Sequence, residues 1–180
     1  KWGVQFVSPQ HQHTAFVEFS QAWDKSMPMA WQVRRSELDE ILFRNAREQG
    51  AVTVEGCDVR RVEFDGDGAT VQATLDDGST TRWRAAYVVD ASGRDTLLAG
   101  QFQSKARNPK HNSAAIFGHF RNAQRLEGEK AEGNISIFWF EHGWIWFIPL
   151  ADGTTSVGAT CWPSYLKTRD KPLDAFFFDT

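Results

Sequence analysis

The chain has 180 residues, of which 41% are hydrophobic and 24% are charged, and it carries a net charge of −3. This composition is typical of a globular protein with one or two domains, and it lacks the strongly basic balance of most nucleic-acid-binding proteins. We therefore expect no nucleic-acid partner. No apolar run approaches the roughly 18 residues that a membrane span needs, so we expect no membrane segment either.

Aromatic residues and cysteines narrow the class of protein further. Eight Trp and fourteen Phe residues favour a thick core or an aromatic-lined pocket. The two cysteines, Cys57 and Cys161, form no C-x-x-C pair, so the sequence predicts neither a metal knuckle nor a redox motif. Two isolated thiols are typical of the reducing cytoplasm. One small basic run, at Lys105, Arg107 and Lys110, is typical of a solvated loop.

Short strands and one helix are predicted in the first part of the chain. Apolar runs predict strands at Val4–Ser8, Ala15–Phe19 and Ala30–Val33. A helix from about Ser36 to Gln49 follows, because its apolar residues recur at helical spacing. Ser36 and Asp39 resemble a capping box at the start of this helix, and Gly50 is expected to end it in a left-handed conformation.

The middle of the chain predicts an antiparallel meander. Its strands are expected at Val52–Glu55, Val59–Phe64, Thr70–Thr74 and Thr80–Trp83, with Asp-Gly turns between them. The apolar run Ala86–Asp90 then predicts a buried parallel strand that meets a tight turn at Gly93. A short helix is expected to begin at Thr96–Ala99.

The last part of the chain is β-rich. Strands are predicted at Ala114–Phe120, Ile135–Phe140, Trp144–Pro149 and Thr155–Thr160, and a helix begins at about Pro172. The third of these strands contains the pattern W-x-W-x-I-P. Because strand residues two apart share a face, Trp144, Trp146 and Ile148 should line one wall, and Pro149 should end the strand or mark an edge.

This pattern resembles the signature of flavin-dependent halogenases. The segment Lys1–Val7 is similar to the K-x-x-(I/V)-x-F-V segment that carries the essential lysine of the same family. The resemblance implies that Lys1 hydrogen-bonds hypohalous acid, or forms a haloamine, and presents the halogen to the substrate. It also implies that Trp144 and Trp146 separate the flavin from the substrate. The alternatives are a solvated lysine and an ordinary aromatic core strand.

Residues Val33–Asp39 resemble the V-x-R-x-x-(F/L)-D step of flavoprotein monooxygenases with the p-hydroxybenzoate hydroxylase fold. In that fold the arginine lies towards the FAD, and by position it corresponds to Arg35. A guanidinium near a helix N-terminus supplies donors and positive charge for phosphate or ribityl oxygens. The alternative is a surface arginine that pairs with Glu37 or Asp39.

Residues Tyr87–Arg94 are similar to the second FAD-binding fingerprint of those enzymes. The resemblance implies that the stretch Asp90, Ala91, Ser92 and Gly93 binds the cofactor on its pyrophosphate side, at the carboxyl end of a parallel strand. The alternative is an ordinary junction between a strand and a turn.

The resemblance implies a mixed α+β and α/β fold, as part of an FAD-binding fold with a large antiparallel sheet on the substrate side. Residues 1–34 would belong to that sheet, residues 35–99 to the returning part of the FAD-binding domain with its meander, and residues 100–180 to the sheet again. No G-x-G-x-x-G motif is present and the C-terminal catalytic Glu of the family cannot be placed, so we expect an internal fragment of a longer protein.

The implied activity is that of a cytoplasmic oxidoreductase. Reduced FAD from a flavin reductase, oxygen, and chloride or bromide would halogenate an electron-rich aromatic such as a phenol or pyrrole, free or tethered to a carrier protein. The fragment alone is expected to be inactive. One alternative is a related flavin-dependent monooxygenase or reductase without halide chemistry. Another is a non-catalytic, aromatic-lined module that binds an apolar ligand.

Overall fold

The computed structural model describes residues 1–106, 108 and 112–180, so Arg107 and Lys110 of the predicted basic run lie outside the described residues. The chain divides into two compact units, one of residues 1–41 and 110–180, the other of residues 42–109. In the described part of the chain, the helices are all too short or too polar to cross a membrane.

Nine strands and four α-helices follow one another along the described residues. In chain order they are β1 (Gly3–Val7), β2 (Thr14–Glu18), α1 (Arg35–Glu48), β3 (Cys57–Asp65), β4 (Gly68–Leu75), β5 (Thr80–Ala85), α2 (Leu97–Gln101), β6 (Ala114–Phe120), β7 (Ile135–Phe140), β8 (Gly143–Pro149), β9 (Thr155–Cys161), α3 (Pro163–Lys167) and α4 (Leu173–Asp179). A single 3₁₀ turn covers Phe19–Gln21. The predicted hairpin strands are thereby confirmed to within two residues, whereas α3 was not predicted.

The first unit is built on a six-stranded sheet in the order β2-β1-β7-β8-β9-β6. All neighbouring strands are antiparallel except β1 and β7, which run parallel. Alternation along the strands gives the sheet two different faces. One face carries the core, where Ile116 and Ala159 pack with Phe176 of α4 and with residues of α3. The opposite face carries the side chains of Trp144, Trp146 and Ile148.

The second unit contains the antiparallel sheet β3-β4-β5, with Val62, Ala69 and Ala73 buried in it. A register shift between Val59 and Arg61 interrupts the pairing of β3 with β4. Beside it, the side-chain amide of Gln101 makes two bonds to the backbone of Val62, donating to its carbonyl over 2.6 Å and accepting from its N–H over 3.0 Å. The amide thereby imitates a neighbouring strand on the open edge of β3.

The helix α1 ends as the sequence predicts but begins differently. Gly50 has a φ of 96°, and the N–H groups of Gly50 and Ala51 donate to the carbonyls of Arg47 and Ala46. This is a Schellman motif, in which a left-handed residue satisfies the last carbonyls. At the other end, the N–H of Leu38 already donates to Arg34, so Ser36 lies inside the first turn. The prediction that Ser36 caps the helix is therefore wrong.

Three predicted strands are wrong, at Ala30–Val33, Val52–Glu55 and Ala86–Asp90, because none of them has a strand assignment. Most of their apolar side chains are exposed, with Val52 at 92%, Tyr87 at 91% and Val89 at 87% of full accessibility. A buried parallel strand is stabilised by neighbours on both sides. Among the described residues, no assigned strand flanks these segments, and Ala30 alone exchanges main-chain bonds, with Lys1.

Candidate functional site

A cleft of about 630 Å³ opens beside the W-x-W-x-I-P strand in the first unit. One wall is the sheet face of β6, β8 and β9, and the other is the segment that leads into α1. The residues that line it are Gln32, Val33, Arg34, Arg35, Ser36, Ala115, Phe117, His119, Trp146, Ile148, Leu150 and Ser156. The cleft thus combines an aromatic and aliphatic wall with two guanidinium groups and a few polar side chains.

The aromatic wall depends on a glycine in the strand between its two rings. Trp146 of β8 and Phe117 of β6 both lie opposite Gly158 of β9, so the three residues form one row across the sheet. The rings approach to 6.1 Å between centroids because Gly158 has no side chain between them. The indole N–H of Trp146 also donates to the hydroxyl of Ser156 over 3.2 Å, which fixes the orientation of the ring.

The tryptophan pair behaves as the alternation of a strand requires. The centroids of Trp144 and Trp146 are 5.9 Å apart on the same face, and β8 ends at Pro149 as predicted. Of the pair, Trp146 lines the cleft and Trp144 does not. The wall predicted from the sequence is therefore present, and Phe117 extends it.

Arg35 occupies the first position of α1 and lines the cleft. Its guanidinium also pairs with Asp39, with Nε 3.1 Å and Nη2 3.2 Å from the two carboxylate oxygens. The ion pair between Arg35 and Asp39, which was the alternative to a cofactor role, is therefore present, and Arg35 also lines the cleft. Nearby, Gln32 donates through Nε2 to the carbonyl of Pro149, while its buried Oε1 has no hydrogen-bond partner in the described part of the chain.

The residue before Arg35 makes a different ion pair. The Nε of Arg34 donates to Oδ2 of Asp152 over 2.9 Å. The other oxygen of Asp152 accepts from the hydroxyl of Thr154 over 2.6 Å and from its N–H over 3.0 Å. These hydrogen bonds lower the pKa of Asp152 from 3.8 to about 2, and the bonds from Thr154 contribute more than the bond from Arg34. The carboxylate therefore joins the turn after β8 to the segment before α1.

Acid should loosen this junction. Because the pKa of Asp152 is lower in the folded protein, its stabilising contribution is complete above the unfolded value and is lost as the pH falls from about 4 through about 2. The midpoint of thermal unfolding, measured between pH 5 and pH 2, should fall more steeply for the parent protein than for Asp152→Asn. Two parallel curves would contradict this account.

Asp90, Ser92 and Gly93 form the turn that precedes α2 in the second unit. The carboxylate of Asp90 accepts from the N–H of Ser92 over 3.0 Å and from that of Leu98 over 2.8 Å. Hydrogen bonds to Ser92 and then Leu98 lower the pKa of Asp90. The hydroxyl of Ser92 accepts from the N–H of Leu97, and Gly93 has a φ of 63°. These side chains thus cap α2, and Ala91 lies exposed beside them.

Lys1 lies outside the cleft lining, next to the start of β1. It is half-buried, and burial lowers the pKa of its side-chain ammonium. Its main-chain nitrogen donates to the carbonyl of Ala30 over 2.8 Å, and the N–H of Ala30 donates back over 2.9 Å. The following two N–H groups, of Trp2 and Gly3, donate to the side-chain oxygen of buried Asn134 over 2.7 and 2.8 Å. The main chain beside the lysine is therefore fixed on two sides.

Several residues of the site were missed by reasoning from the sequence, among them Gln32, Arg34, Phe117, Asp152, Ser156 and Gly158. Ser156 and Gly158 could have been predicted from the sequence, because the hairpin of β8 and β9 places these small residues opposite Ile148 and Trp146. The contact of Arg34 with Asp152 spans 118 positions and leaves no local pattern. Among the described residues, no group of three His, Cys, Asp or Glu side chains is arranged to hold a metal ion.

Comparison with known proteins identifies the family to which this chain belongs. The family model described as tryptophan halogenase matches residues 5–176. The chain belongs to the tryptophan halogenase family. It is 38% identical, over 140 residues and 76% of its length, to a tryptophan 2-halogenase of Chondromyces crocatus, of which it covers 27%. It is 36% identical, over 72% of its length, to the flavin-dependent halogenase armH3 of Armillaria mellea, again covering 27% of that protein.

Solved structures of halogenases have the same fold as this tryptophan halogenase family member. The myxobacterial chondrochloren halogenase CndH, an FAD-dependent halogenase, matches 98% of the chain with a TM-score of 0.82 and 30% identity, and 40% of CndH is covered. The flavin-dependent halogenase CmlS matches 98% of the chain with a TM-score of 0.86 and 26% identity, and 32% of CmlS is covered. The mixed α/β fold predicted from the sequence is thereby confirmed, and the chain spans roughly a third of these proteins.

Proposed function

We propose that the protein containing this chain is a flavin-dependent halogenase that uses reduced FAD, oxygen and chloride or bromide to halogenate an electron-rich aromatic such as a phenol or pyrrole. The observation that carries the proposal is the wall of Trp146, Phe117 and Ile148, which faces Arg35 and Ser36 across one cleft. An apolar wall opposite a cationic helix start is suited to a ligand with a flat ring and an anionic chain.

The residues of the cleft fit FAD. The buried Oε1 of Gln32 has no hydrogen-bond partner among the described residues and could accept from an N–H of the flavin ring. Arg35 and Ser36, at the N-terminal end of α1, would bind ribityl or phosphate oxygens. When bound and reduced, FAD would supply with oxygen the oxidising equivalents that convert halide into hypohalous acid. Trp146 would separate the flavin from the organic substrate, and Trp144 would assist it.

We also assign Asp90, Ala91, Ser92 and Gly93 to the cofactor. Both oxygens of Asp90 are occupied by backbone N–H groups, so its part would be to hold the turn rather than to bind the ligand through its charge. Ser92 caps α2 through its hydroxyl, which leaves the backbone of Ala91 and Gly93 for the cofactor.

Lys1 would deliver the halogen. Burial lowers the pKa of its ammonium, which raises the fraction of free amine near neutral pH. In one route the amine and hypohalous acid form a haloamine and water, and the halogen then passes to an aromatic carbon that loses its proton. In the other, the ammonium hydrogen-bonds hypohalous acid beside the substrate. Both routes create an electrophilic halogen, which is why the substrate class would be electron-rich aromatics.

The proposal extends to the partners and the compartment. A flavin reductase would supply reduced FAD, and the aromatic substrate would arrive free or tethered to a carrier protein. The absence of a disulfide framework and the presence of two free thiols, Cys57 and Cys161, favour the reducing cytoplasm.

The test uses the full-length protein with reduced FAD, oxygen, bromide and a panel of phenols, pyrroles and indoles. We expect a product with the mass and isotope pattern of one added bromine, and no such product when bromide is omitted. The control reaction without protein measures halogenation by free oxidant. A hydroxylated product that forms without any halide would contradict the proposal and favour a monooxygenase.

A further inference from the structure

The segment Ala30–Arg34, which we name the bridging segment, links three parts of the proposed site. Its attachments occur at every second residue, as an extended backbone allows. Ala30 exchanges two main-chain bonds with Lys1. Gln32 donates to the carbonyl of Pro149, the last residue of β8. Arg34 pairs with Asp152 in the turn that follows that strand.

Arg34 is held through both its backbone and its side chain. Its carbonyl accepts from Leu38, which is the first bond of α1, while its guanidinium is bound to Asp152. Arg35 is the next residue. The backbone and side-chain bonds of Arg34 therefore determine how the Arg35 side chain is directed into the cleft. Asp152 is fixed in turn by two bonds from Thr154. The ion pair therefore joins two elements whose own geometry is already defined.

We propose that Arg34, through its ion pair with Asp152, is a positioning residue that holds the bridging segment and so aligns Lys1 with β8. The inference rests on the proposed function, since it concerns delivery of the halogen by Lys1. Ala30 is four residues from Arg34, and its two bonds are the ones that hold the main chain of Lys1 on this side. Release of Arg34 frees the segment at its helix end, and the displacement is transmitted to Lys1.

The observations favour positioning over a purely stabilising role. The side chains of Arg34 and Asp152 are 39% and 40% exposed, and ion pairs of such exposure add little to stability. Their effect on alignment is larger, because a displacement of about 1 Å in a reacting group can cost on the order of 100-fold in rate. The bridging segment has no helix or strand assignment. Between its main-chain bonds at Ala30 and Arg34, the side chains of Gln32 and Arg34 set its course.

The test compares Arg34→Gln, Asp152→Asn and the double variant of the full-length protein, with residues numbered as in this chain. Arg84→Gln is the matched control, because it removes an ion pair of similar exposure with Asp65 and Arg84 does not line the cleft. Halogenated product is measured by mass spectrometry and released hypohalous acid by a soluble chromogenic acceptor. FAD affinity is measured by fluorescence titration, and amide hydrogen exchange is followed across the bridging segment.

We expect the ratio of halogenated product to released hypohalous acid to fall about tenfold in both single variants and no further in the double variant. With the ratio measured at saturating FAD, exchange at Ala30 should accelerate, and Arg34→Lys should restore most of the ratio. A loss of FAD affinity with an unchanged ratio would overturn the proposal and make Arg34 a cofactor ligand. Unchanged exchange at Ala30 would also overturn it. If the parent protein makes no halogenated product, the proposed function fails, and the exchange result still decides whether Arg34 holds the segment.

Discussion

Lys1→Ala in the full-length protein should abolish halogenated product while hypohalous acid continues to form. The expected loss of product is roughly 10²–10⁴-fold, the range for a side chain that touches the reacting atoms. The physical reason is that the amine is the group that presents the halogen, whereas formation of the oxidant depends on the flavin. Half-burial and the lowered pKa of the ammonium favour the free amine at that position. Product is measured by mass spectrometry, and hypohalous acid with a soluble acceptor.

Two further variants make this result specific to the amine of Lys1. Lys1→Arg keeps the positive charge but a guanidinium stays protonated, so it should fail in delivery by a haloamine. If Lys1→Arg retains product, hydrogen bonding of hypohalous acid is the operative route. Lys167→Ala, which removes an exposed lysine at the end of α3, should behave as the parent does. Full product from Lys1→Ala would refute the assignment of Lys1.

Gly158→Ala should destabilise the sheet and displace the indole of Trp146. A Cβ at this position would lie 2.2 Å from Cζ2 of Trp146 and 2.5 Å from Cβ of Phe117, which is far inside van der Waals contact. Overpacking of this kind costs about 1–3 kcal/mol of unfolding free energy. Chemical denaturation of the full-length protein measures the loss, and the displaced ring should also lower the yield of halogenated product relative to released hypohalous acid.

The cause of that loss can be isolated with two companion variants. Gly66→Ala adds the same methyl group in a turn where it would meet no atom within 4 Å, so its stability should equal that of the parent. Adding Trp146→Phe to Gly158→Ala removes the indole atoms that the new Cβ would meet, and part of the lost stability should return. Equal losses from Gly66→Ala and Gly158→Ala would show that the clash with Trp146 is not the cause.

Local patterns explain which elements were predictable from the sequence. The strands β7 and β8 are joined by a two-residue turn of Glu141 and His142, so both the pairing and the shared face of Trp144 and Trp146 follow from neighbouring residues. The run Ala86–Asp90 has the same apolar character but is not a strand, because its pairing would depend on neighbours distant in sequence. The apolar pattern of a segment predicts that it can form a strand, but it does not predict whether a neighbouring strand is available to pair with it.

The candidate site was predictable only where a motif marked it. The W-x-W-x-I-P pattern led to Trp146, and the resemblance to flavoproteins led to Arg35, which both line the cleft. The contact between Gln32 and Pro149 spans 117 positions and depends on how the chain returns, which no spacing rule describes. The cap formed by Asp90 was likewise invisible, since an Asp after an apolar run predicts several kinds of turn equally well.

The parallel pairing of β1 with β7 has a consequence for how the protein matures. Val4 pairs with Ile135, so the strand beside Lys1 is synthesised long before its partner. Until then, β1 can pair only with β2, whereas β8 pairs with β7, and β9 with β8, soon after they are made. Contacts of high sequence separation form slowly. We therefore expect the hairpins of β7, β8 and β9, which carry Trp146, to form first, and the pairing of β1 with β7 beside Lys1 to form later.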